Sequence, residues 1–248
     1  MISLVLSKIE PLPVNVMDIL SNCPATIKLM KRLVRLQCRA YLCLNNLVQV
    51  VELEMLGGAQ NLYALFGQIL SQEVCVNPLS PGVDNELLEA VTAAIRSILL
   101  RLAAEKCSGL EVVNDDVIQT LFKIGTSPEP RVQANIIRST GTLGIIFNNE
   151  TFLVKTIGNY LMNFVENQKA LWLIAEALDA LLDLFAEDCT DAAAIEIKLV
   201  IRLGTISHRF KAKVRQERKT LGEHHAIVST VMTNLIPFIK YKEAKMPR

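Results

Sequence analysis

The stretch from Val117 to Ile146 constrains the fold of this 248-residue chain more than any other part of it. Apolar residues recur at helical spacing on both sides of a break at Ser127–Pro130, so the stretch predicts two amphipathic helices joined by a tight turn. Ser127 is a favoured residue for capping the second helix, and proline is tolerated in a first turn. Such a pair cannot bury its apolar side alone, so we expect further pairs stacked against it.

Long helical stretches recur on either side of this pair. The second helices of the expected pairs follow one another at about forty to fifty residues, the repeat length of HEAT and armadillo arrays. Their centres lie near Asn46, Arg96, Arg138 and Asp179. The turn, with its Pro-Glu-Pro-Arg-Val run, resembles that of a HEAT repeat. We therefore predict an all-α fold, a HEAT/armadillo-type α-solenoid of about five helix pairs wound as a right-handed superhelix.

Composition agrees with packed helices. Hydrophobic residues make up 51% of the chain and aromatic residues only 5%, so aliphatic side chains fill most of the expected core. We treat residues 1–248 as a single HEAT-repeat array. Within it we expect an irregular lead-in at residues 1–24, truncated from a longer solenoid, a basic stretch at 208–223, and a last helix and tail at 224–248 interrupted at Pro237.

Charge is balanced overall but unevenly placed. The net charge is +1, so no overall field directs the chain to nucleic acid or to a membrane. Residues 176–191 contain six acidic residues and no Lys or Arg, whereas residues 198–219 contain eight basic residues and one Glu. No apolar run is long enough for a membrane span, and the first residues lack the features of a signal peptide. We expect no membrane partner.

Motifs for catalysis, cofactors and metals are absent from the sequence. There is no Gly-rich phosphate loop, HExxH, GxSxG or dinucleotide fingerprint, and the three histidines do not combine with a nucleophile at any logical spacing. Six scattered cysteines without a Cys-x-x-Cys indicate reduced core residues, with a zinc site as the alternative. We expect no enzyme activity, no cofactor and no metal site.

The sharpest candidate surface lies on the helix expected over Gln168–Glu187. At about 100° per residue its leucines share one side, while an aromatic and several carboxylates share the other. That polar stripe consists of Trp172, Glu176, Asp179 and Asp183, followed by Glu187. We interpret it as the groove that holds a Lys/Arg-rich segment of a client protein. The alternative is a solvated acidic face with its Trp packed against a neighbouring pair.

Polar residues on the other second helices would extend this groove. Amide side chains both donate and accept hydrogen bonds, so they can hold the main chain of an extended peptide. The candidates are Asn46, Gln49, Asn135 and Arg138, with Asn45, Thr92, Arg96 and Thr142 beside them. Ordinary solvent exposure is the alternative for each of them.

Two basic patches complete the candidate surfaces. One is a stripe on the first long helix, formed by Lys28, Arg32, Arg35 and Arg39 together with Lys31. It could contact phosphate or an acidic partner segment, or it could simply be solvated. The other comprises Arg209, Lys211, Lys213 and Arg215. Because Phe210 is its only aromatic residue, we do not expect it to read nucleic acid directly.

Three long strings carry a family resemblance. They are Arg32–Val48, Glu176–Asp188 and Ile197–Arg215. As whole strings they are similar to the C-terminal HEAT half of the symportin family, adaptors for the nuclear import of ribosomal proteins. The resemblance covers most of the chain. The family's N-terminal receptor-binding signal and its armadillo half are not in this sequence.

The resemblance implies a specific function. Symportins chaperone two large-subunit ribosomal proteins of the 5S RNA particle into the nucleus, and their HEAT half holds a basic segment of one client in its groove. We therefore expect a non-enzymatic adaptor whose partners are these basic ribosomal proteins, shuttling between cytoplasm and nucleus. A transport receptor would be contacted only through the missing N-terminal part. The alternative is a general helical-repeat interaction scaffold in transport, with no ribosomal client.

Overall fold

Helices follow one another along the whole described part of the chain in the computed structural model, which describes residues 24–80, 82–107, 109–186, 197–217 and 221–245. Ten α-helices and one 3-10 helix, at Gly222–His224, occur within these ranges, and no strand does. The α-helices are α1 (Pro24–Val50), α2 (Gly58–Leu70), α3 (Glu73–Val76), α4 (Asn85–Ala104), α5 (Asp115–Ile124), α6 (Pro130–Ile146), α7 (Thr151–Asn167), α8 (Leu171–Leu184), α9 (Ile197–Glu217) and α10 (His225–Lys245).

Helices α1, α4, α6, α8 and α10 pack side by side in chain order, and we call them the central row. The preceding helices α2, α5, α7 and α9 lie on the other layer, each against the central-row helix that follows it. This arrangement is an α-solenoid, so the predicted fold class is confirmed. The four expected centres, Asn46, Arg96, Arg138 and Asp179, all lie on the central row.

Small residues let neighbouring helices of the central row approach closely. A Cβ added to Gly141 of α6 would lie 2.9 Å from the Cβ of Ala180 on α8. One added to Gly144 would lie 2.5 Å from Leu184 Cδ1. This close approach places α6 and α8 near enough for their polar side chains to meet.

The apolar sides of both layers form one continuous core within the described residues. Ile98 of α4, Ile136 of α6 and Leu181 of α8 are each fully buried. Truncating such a side chain to Ala typically costs about 2–5 kcal/mol of folding free energy. The polar side chains of the central row are thus held on a rigid support.

Helix α1 ends at Val50, and the turn that follows uses two glycines with positive φ, Gly57 at 91° and Gly58 at 83°. Two other helices differ from the sequence expectations. Helix α10 continues through Pro237 to Lys245, so the expected interruption is wrong. Ser127 does not cap α6: its buried Oγ accepts from the Glu129 N–H at 3.3 Å, and Pro130 occupies the first turn.

The helix that carries the acidic stripe is shorter than expected. It begins at Leu171, because the Gln168 side chain accepts from the backbone N–H groups of Lys169 and Ala170 at 2.7 and 3.0 Å and stabilises an extended entry. Its last helical residue is Leu184. Several predictions lie outside the described residues, namely the lead-in up to Cys23, and Glu187, Asp188, Cys189 and Asp191.

Candidate functional site

The acidic stripe of α8 meets an arginine of the neighbouring helix. Arg138 on α6 donates from Nε to Glu176 Oε2 at 2.8 Å, from a terminal nitrogen to Asp183 Oδ2 at 3.4 Å, and from the other to Asp179. The side chains of Arg138, Glu176 and Asp179 are only 15–16% exposed, while that of Asp183 is 58% exposed. The acidic stripe is therefore partly closed by an arginine of the same chain, and of these three carboxylates only Asp183 is open to solvent.

Helical spacing explains why one arginine reaches three carboxylates. Positions 176, 179 and 183 follow one another along a single face of α8, and the planar guanidinium presents its N–H groups as a fork. Burial by itself would lower the pKa of Arg138, but the charges of Asp179 and Glu176 outweigh it and the pKa is raised. We call these four residues the Arg138 cluster. Its formal charge is −2.

Asp183 is the member of the cluster that faces solvent most. It lies in the last turn of α8, where the helix dipole disfavours a negative charge. Burial, and then the charge of Asp179, raises the pKa of the Asp183 carboxyl, although Arg138 opposes the shift. This carboxylate therefore does not stabilise its own helix. Because it is the most exposed of the three, it is the one most accessible to a cation of a binding partner.

Trp172 does not stand free at the head of the stripe. Its indole ring stacks on the imidazole of His224, with centroids 4.2 Å apart and planes at 5°, and it packs against the core. His224 belongs to the 3-10 helix before α10, so the stack ties α8 to the next pair. The packed arrangement of Trp172, considered above as the alternative, is the one observed.

Amide and hydroxyl side chains join the first three helices of the central row. Gln49 on α1 donates to Asn45 and to Ser97 Oγ on α4, each at 3.2 Å, and Ser97 donates to Asn45. Asn135 on α6 donates to Thr92 Oγ1 on α4 at 3.2 Å. These contacts and the Arg138 cluster together bridge four helices on one side of the central row, which we call the polar face. Gln49 is exposed on it, whereas Asn135 and its partner Thr92 are buried.

The same polar face contains a cleft of about 470 Å³. Gln49, Asn135 and Arg96 line it, together with Asn45, Val48, Ala93, Ser97, Leu100 and Arg101. Asn46 is exposed and is not among the lining residues, so the structure does not bring this candidate into the cleft. The sequence reasoning missed Ser97. The available signal was a hydroxyl inside an apolar run of α4, where only a hydrogen-bond partner makes burial favourable.

The two basic patches differ in solvent exposure and in their contacts with the rest of the protein. Lys28, Lys31, Arg32, Arg35 and Arg39 are exposed on α1, and none forms an ion pair within the described ranges. In the C-terminal patch Arg209 and Arg215 are exposed, whereas Lys211 and Lys213 are half-buried. Lys213 Nζ donates to the backbone carbonyl of Lys169 and lies 3.8 Å from Glu217 Oε1. Part of this second patch thus helps to hold the fold.

Other kinds of site have little support in the described part of the chain. No group of three or more His, Cys, Asp or Glu residues is placed to hold a metal ion there. None of the helices described combines the length and apolarity that crossing a bilayer requires. Of the cysteines described, Cys75 is buried, Cys38 and Cys107 are half-buried and Cys43 is exposed, so the expectation of core cysteines holds only in part.

Comparison with known proteins gives the chain clear relatives. The sequence model of the family described as "SYO1-like, TPR repeats" matches residues 1–246. HEAT repeat-containing protein 3 of Homo sapiens is 33% identical over 234 residues, which is 91% of this chain and 34% of the relative. The Mus musculus protein of the same name is 31% identical over 233 residues, again 91% and 34%. No solved structure matches. The chain thus spans about a third of the length of these curated relatives.

Proposed function

We propose a function for this chain from the premise that it belongs to the SYO1-like family of helical-repeat proteins. The chain is a non-enzymatic adaptor and chaperone that binds a basic ribosomal-protein segment on the polar face of its central row. Its clients are the large-subunit proteins of the 5S RNA particle, which it accompanies into the nucleus for assembly. It therefore shuttles between cytoplasm and nucleus.

The observation that carries this proposal is the unbroken polar face of the central row. One polar contact spans each step: Gln49 with Ser97 between α1 and α4, Asn135 with Thr92 between α4 and α6, and the Arg138 cluster between α6 and α8. Gln49 is exposed, and Asn135, although buried, lines the cleft beside it, so their amide oxygens can accept from the main-chain N–H groups of an extended peptide. A surface of this kind favours binding over catalysis.

The charges of the Arg138 cluster indicate where the Lys and Arg side chains of a basic segment would bind. Arg138 already occupies the position that a client Lys or Arg would take among the three carboxylates. In the protein without a client, the attraction between Arg138 and the three carboxylates offsets their mutual repulsion. Asp183, the most exposed of them, remains accessible. A client cation would therefore first contact Asp183 and then share the cluster with Arg138.

The experiment that tests this is a titration of a fluorescently labelled basic N-terminal segment of each ribosomal client. Asp183→Asn should weaken binding about threefold or more, because an exposed ion pair contributes up to about 1 kcal/mol. Asp116→Asn is the matched control, because Asp116 is an exposed residue of α5 in the other layer and the change is equally conservative. It should leave binding unchanged. The double change Asp179→Lys with Asp183→Lys should abolish binding.

Added salt should weaken the complex, because the contacts at Asp183 are solvent-exposed and screened. If Asp183→Asn and Asp116→Asn bind the basic segment equally and salt has no effect, the polar face is not the client site.

A second candidate, the general interaction scaffold, is favoured by one specific observation. The carboxylates of the Arg138 cluster are already neutralised in part, while apolar side chains at the end of α1 and in the turn after it are open, with Val50 and Met55 each 78% exposed. In that case partners would contact this apolar edge and not the polar face. Cross-linking that maps partner contacts to Val50 and Met55, with none near Asp183, would select the scaffold.

A further inference from the structure

The cleft between α1, α4 and α6 contains a guanidinium group without an acidic partner. Arg96 lines this cleft from α4 and is half-buried there. No carboxylate of the described residues lies within ion-pair distance of it. Two other half-buried arginines on this side do have such partners: Arg138 has three, and Arg101, which also lines the cleft, pairs with Glu105 at 3.0 Å. Arg96 is therefore a half-buried cation without an ion-pair partner among the described residues.

The electrostatic surroundings of Arg96 are also unfavourable to it. Burial lowers the pKa of Arg96, the charge of Glu176 opposes this, and the charge of Arg138 lowers it further. Because Glu176 already accepts a hydrogen bond from Arg138, its charge stabilises Arg138 more than it stabilises Arg96. A half-buried cation in this position is costly to the empty protein unless an anion joins it.

The remaining walls of the cleft suit a carboxylate on a short aliphatic stem. Asn135 donates one amide N–H to Thr92 and keeps a second that can bond a carboxylate oxygen, whereas Gln49 donates both of its N–H groups to Asn45 and Ser97 and offers only its oxygen, which can accept from a peptide N–H. Val48, Ala93 and Leu100 supply apolar wall, which matches methylene groups. A guanidinium is the usual donor for bidentate carboxylate recognition.

Basic side chains continue from the cleft along α1. On the helical wheel Lys31 and Arg35 lie within roughly 80° of Asn45, and Arg35 is about 15 Å from it along the axis. Both are exposed and without an ion pair in the described ranges. An anionic chain that entered at Arg96 would therefore meet further positive charge in this direction.

We propose that the cleft at Arg96 is a second binding site, which receives a Glu or Asp side chain of an extended acidic protein segment running along α1 past Arg35 and Lys31. This site is distinct from the Arg138 cluster, but it shares Gln49 and Asn135 with the face proposed above for the basic client. The adaptor then carries two sites of opposite preference on one face. One takes cations at Asp183 and the other takes carboxylates at Arg96.

The test uses the full chain and a fluorescein-labelled hexaglutamate peptide, which spans about 20 Å when extended. Arg96→Gln should weaken binding at least about tenfold, since hydrogen bonds to a charged group contribute about 1.5–3 kcal/mol. Arg131→Gln is the matched control, because Arg131 is 70% exposed and already paired with Glu89. It should change binding less than about twofold.

A second variant guards against a folding defect in Arg96→Gln. Lys31→Gln with Arg35→Gln alters only exposed side chains and should weaken hexaglutamate binding about threefold. Three results would overturn the proposal: hexaglutamine binding as tightly as hexaglutamate, equal affinities of Arg96→Gln and Arg131→Gln, or no binding by the unaltered chain. A six-nucleotide uridylate that binds more tightly than hexaglutamate and depends on Arg96 would also overturn it, because the occupant would then be RNA.

Discussion

Arg138 donates from Nε to Oε2 of Glu176 across 2.8 Å, and this contact joins two neighbouring second helices of the solenoid. It shows that the acidic stripe of α8 is partly an internal structure of the array. A half-buried ion pair adds little net stability compared with well-packed apolar residues, but the loss of one partner leaves buried charge uncompensated. The cluster is therefore sensitive to change on one side.

Arg138→Met should destabilise the protein strongly. It leaves Glu176 and Asp179, each 16% exposed, without their cation, and breaking a buried pair costs about 3–5 kcal/mol. Urea unfolding followed by circular dichroism measures the change. Arg131→Met, at a pair with 70% exposure of the arginine, should cost at most about 1 kcal/mol. Equal losses in the two variants would mean that the cluster is not a structural element.

Arg96→Met should behave in the opposite way. Because Arg96 is half-buried and has no ion-pair partner in the described residues, replacing it with an apolar side chain removes a desolvation cost. We expect an unfolding free energy equal to or up to about 1–2 kcal/mol above that of the unaltered protein. Differential scanning calorimetry of the two Met variants side by side is the measurement. A stability loss comparable to that of Arg138→Met would contradict the assignment of Arg96 as a half-buried cation without an ion-pair partner.

Gly141→Ala should be destabilising although alanine favours helices. The new Cβ would meet the Cβ of Ala180 at 2.9 Å, and overpacking of this kind costs about 1–3 kcal/mol. Gly204→Ala is the matched control: it lies within α9 and a Cβ there meets nothing within 4 Å. That substitution should stabilise by about 0.5–1 kcal/mol.

Rescue of Gly141→Ala by a second substitution tests the same contact directly. Ala180→Gly on α8 makes room for the new methyl group, so the double variant should recover part of the lost stability. Independent, additive effects in thermal melts would show that α6 and α8 do not approach at these residues.

Glu166 gives the protein a defined response to acid. A hydrogen bond from Arg202 Nε to Glu166 Oε1, at 2.8 Å, is the main cause that lowers the pKa of the Glu166 carboxyl below its ordinary value. A carboxyl with a depressed folded-state pKa contributes stability above its unfolded value, and this contribution is lost as pH falls through the folded value. Glu166→Gln should therefore be less stable than the unaltered chain near neutral pH and equal to it in strong acid. A difference that is independent of pH would contradict this.

Helical periodicity was sufficient to predict the solenoid but not the charge pairing. The positions of Arg138 and Asp179 on second helices follow from the repeat spacing, which is a local property of the sequence. Whether Arg138 faces the acidic stripe depends on the register between α6 and α8. That register is set by side-chain packing, such as Gly141 against Ala180, and a single helix does not encode it.

Tertiary packing also determines the helical conformation at Pro237 and the contact that Trp172 makes. Proline disfavours a helix interior, yet α10 continues through Pro237, with Leu235 and Ile239 on either side of it buried in the core. Trp172 shares the acidic side of α8, but the chain returns to it with His224, fifty-two residues later. No spacing rule within α8 predicts that contact.

The most direct test of the central claim is isothermal titration of the basic client segment into Arg138→Gln and the unaltered chain. If the three carboxylates are the client's receptor and Arg138 takes the place of a client cation, removing Arg138 should free them. The account predicts tighter binding by Arg138→Gln, by about threefold or more, in spite of its lower stability. Unchanged or weaker binding by a folded Arg138→Gln protein would contradict it.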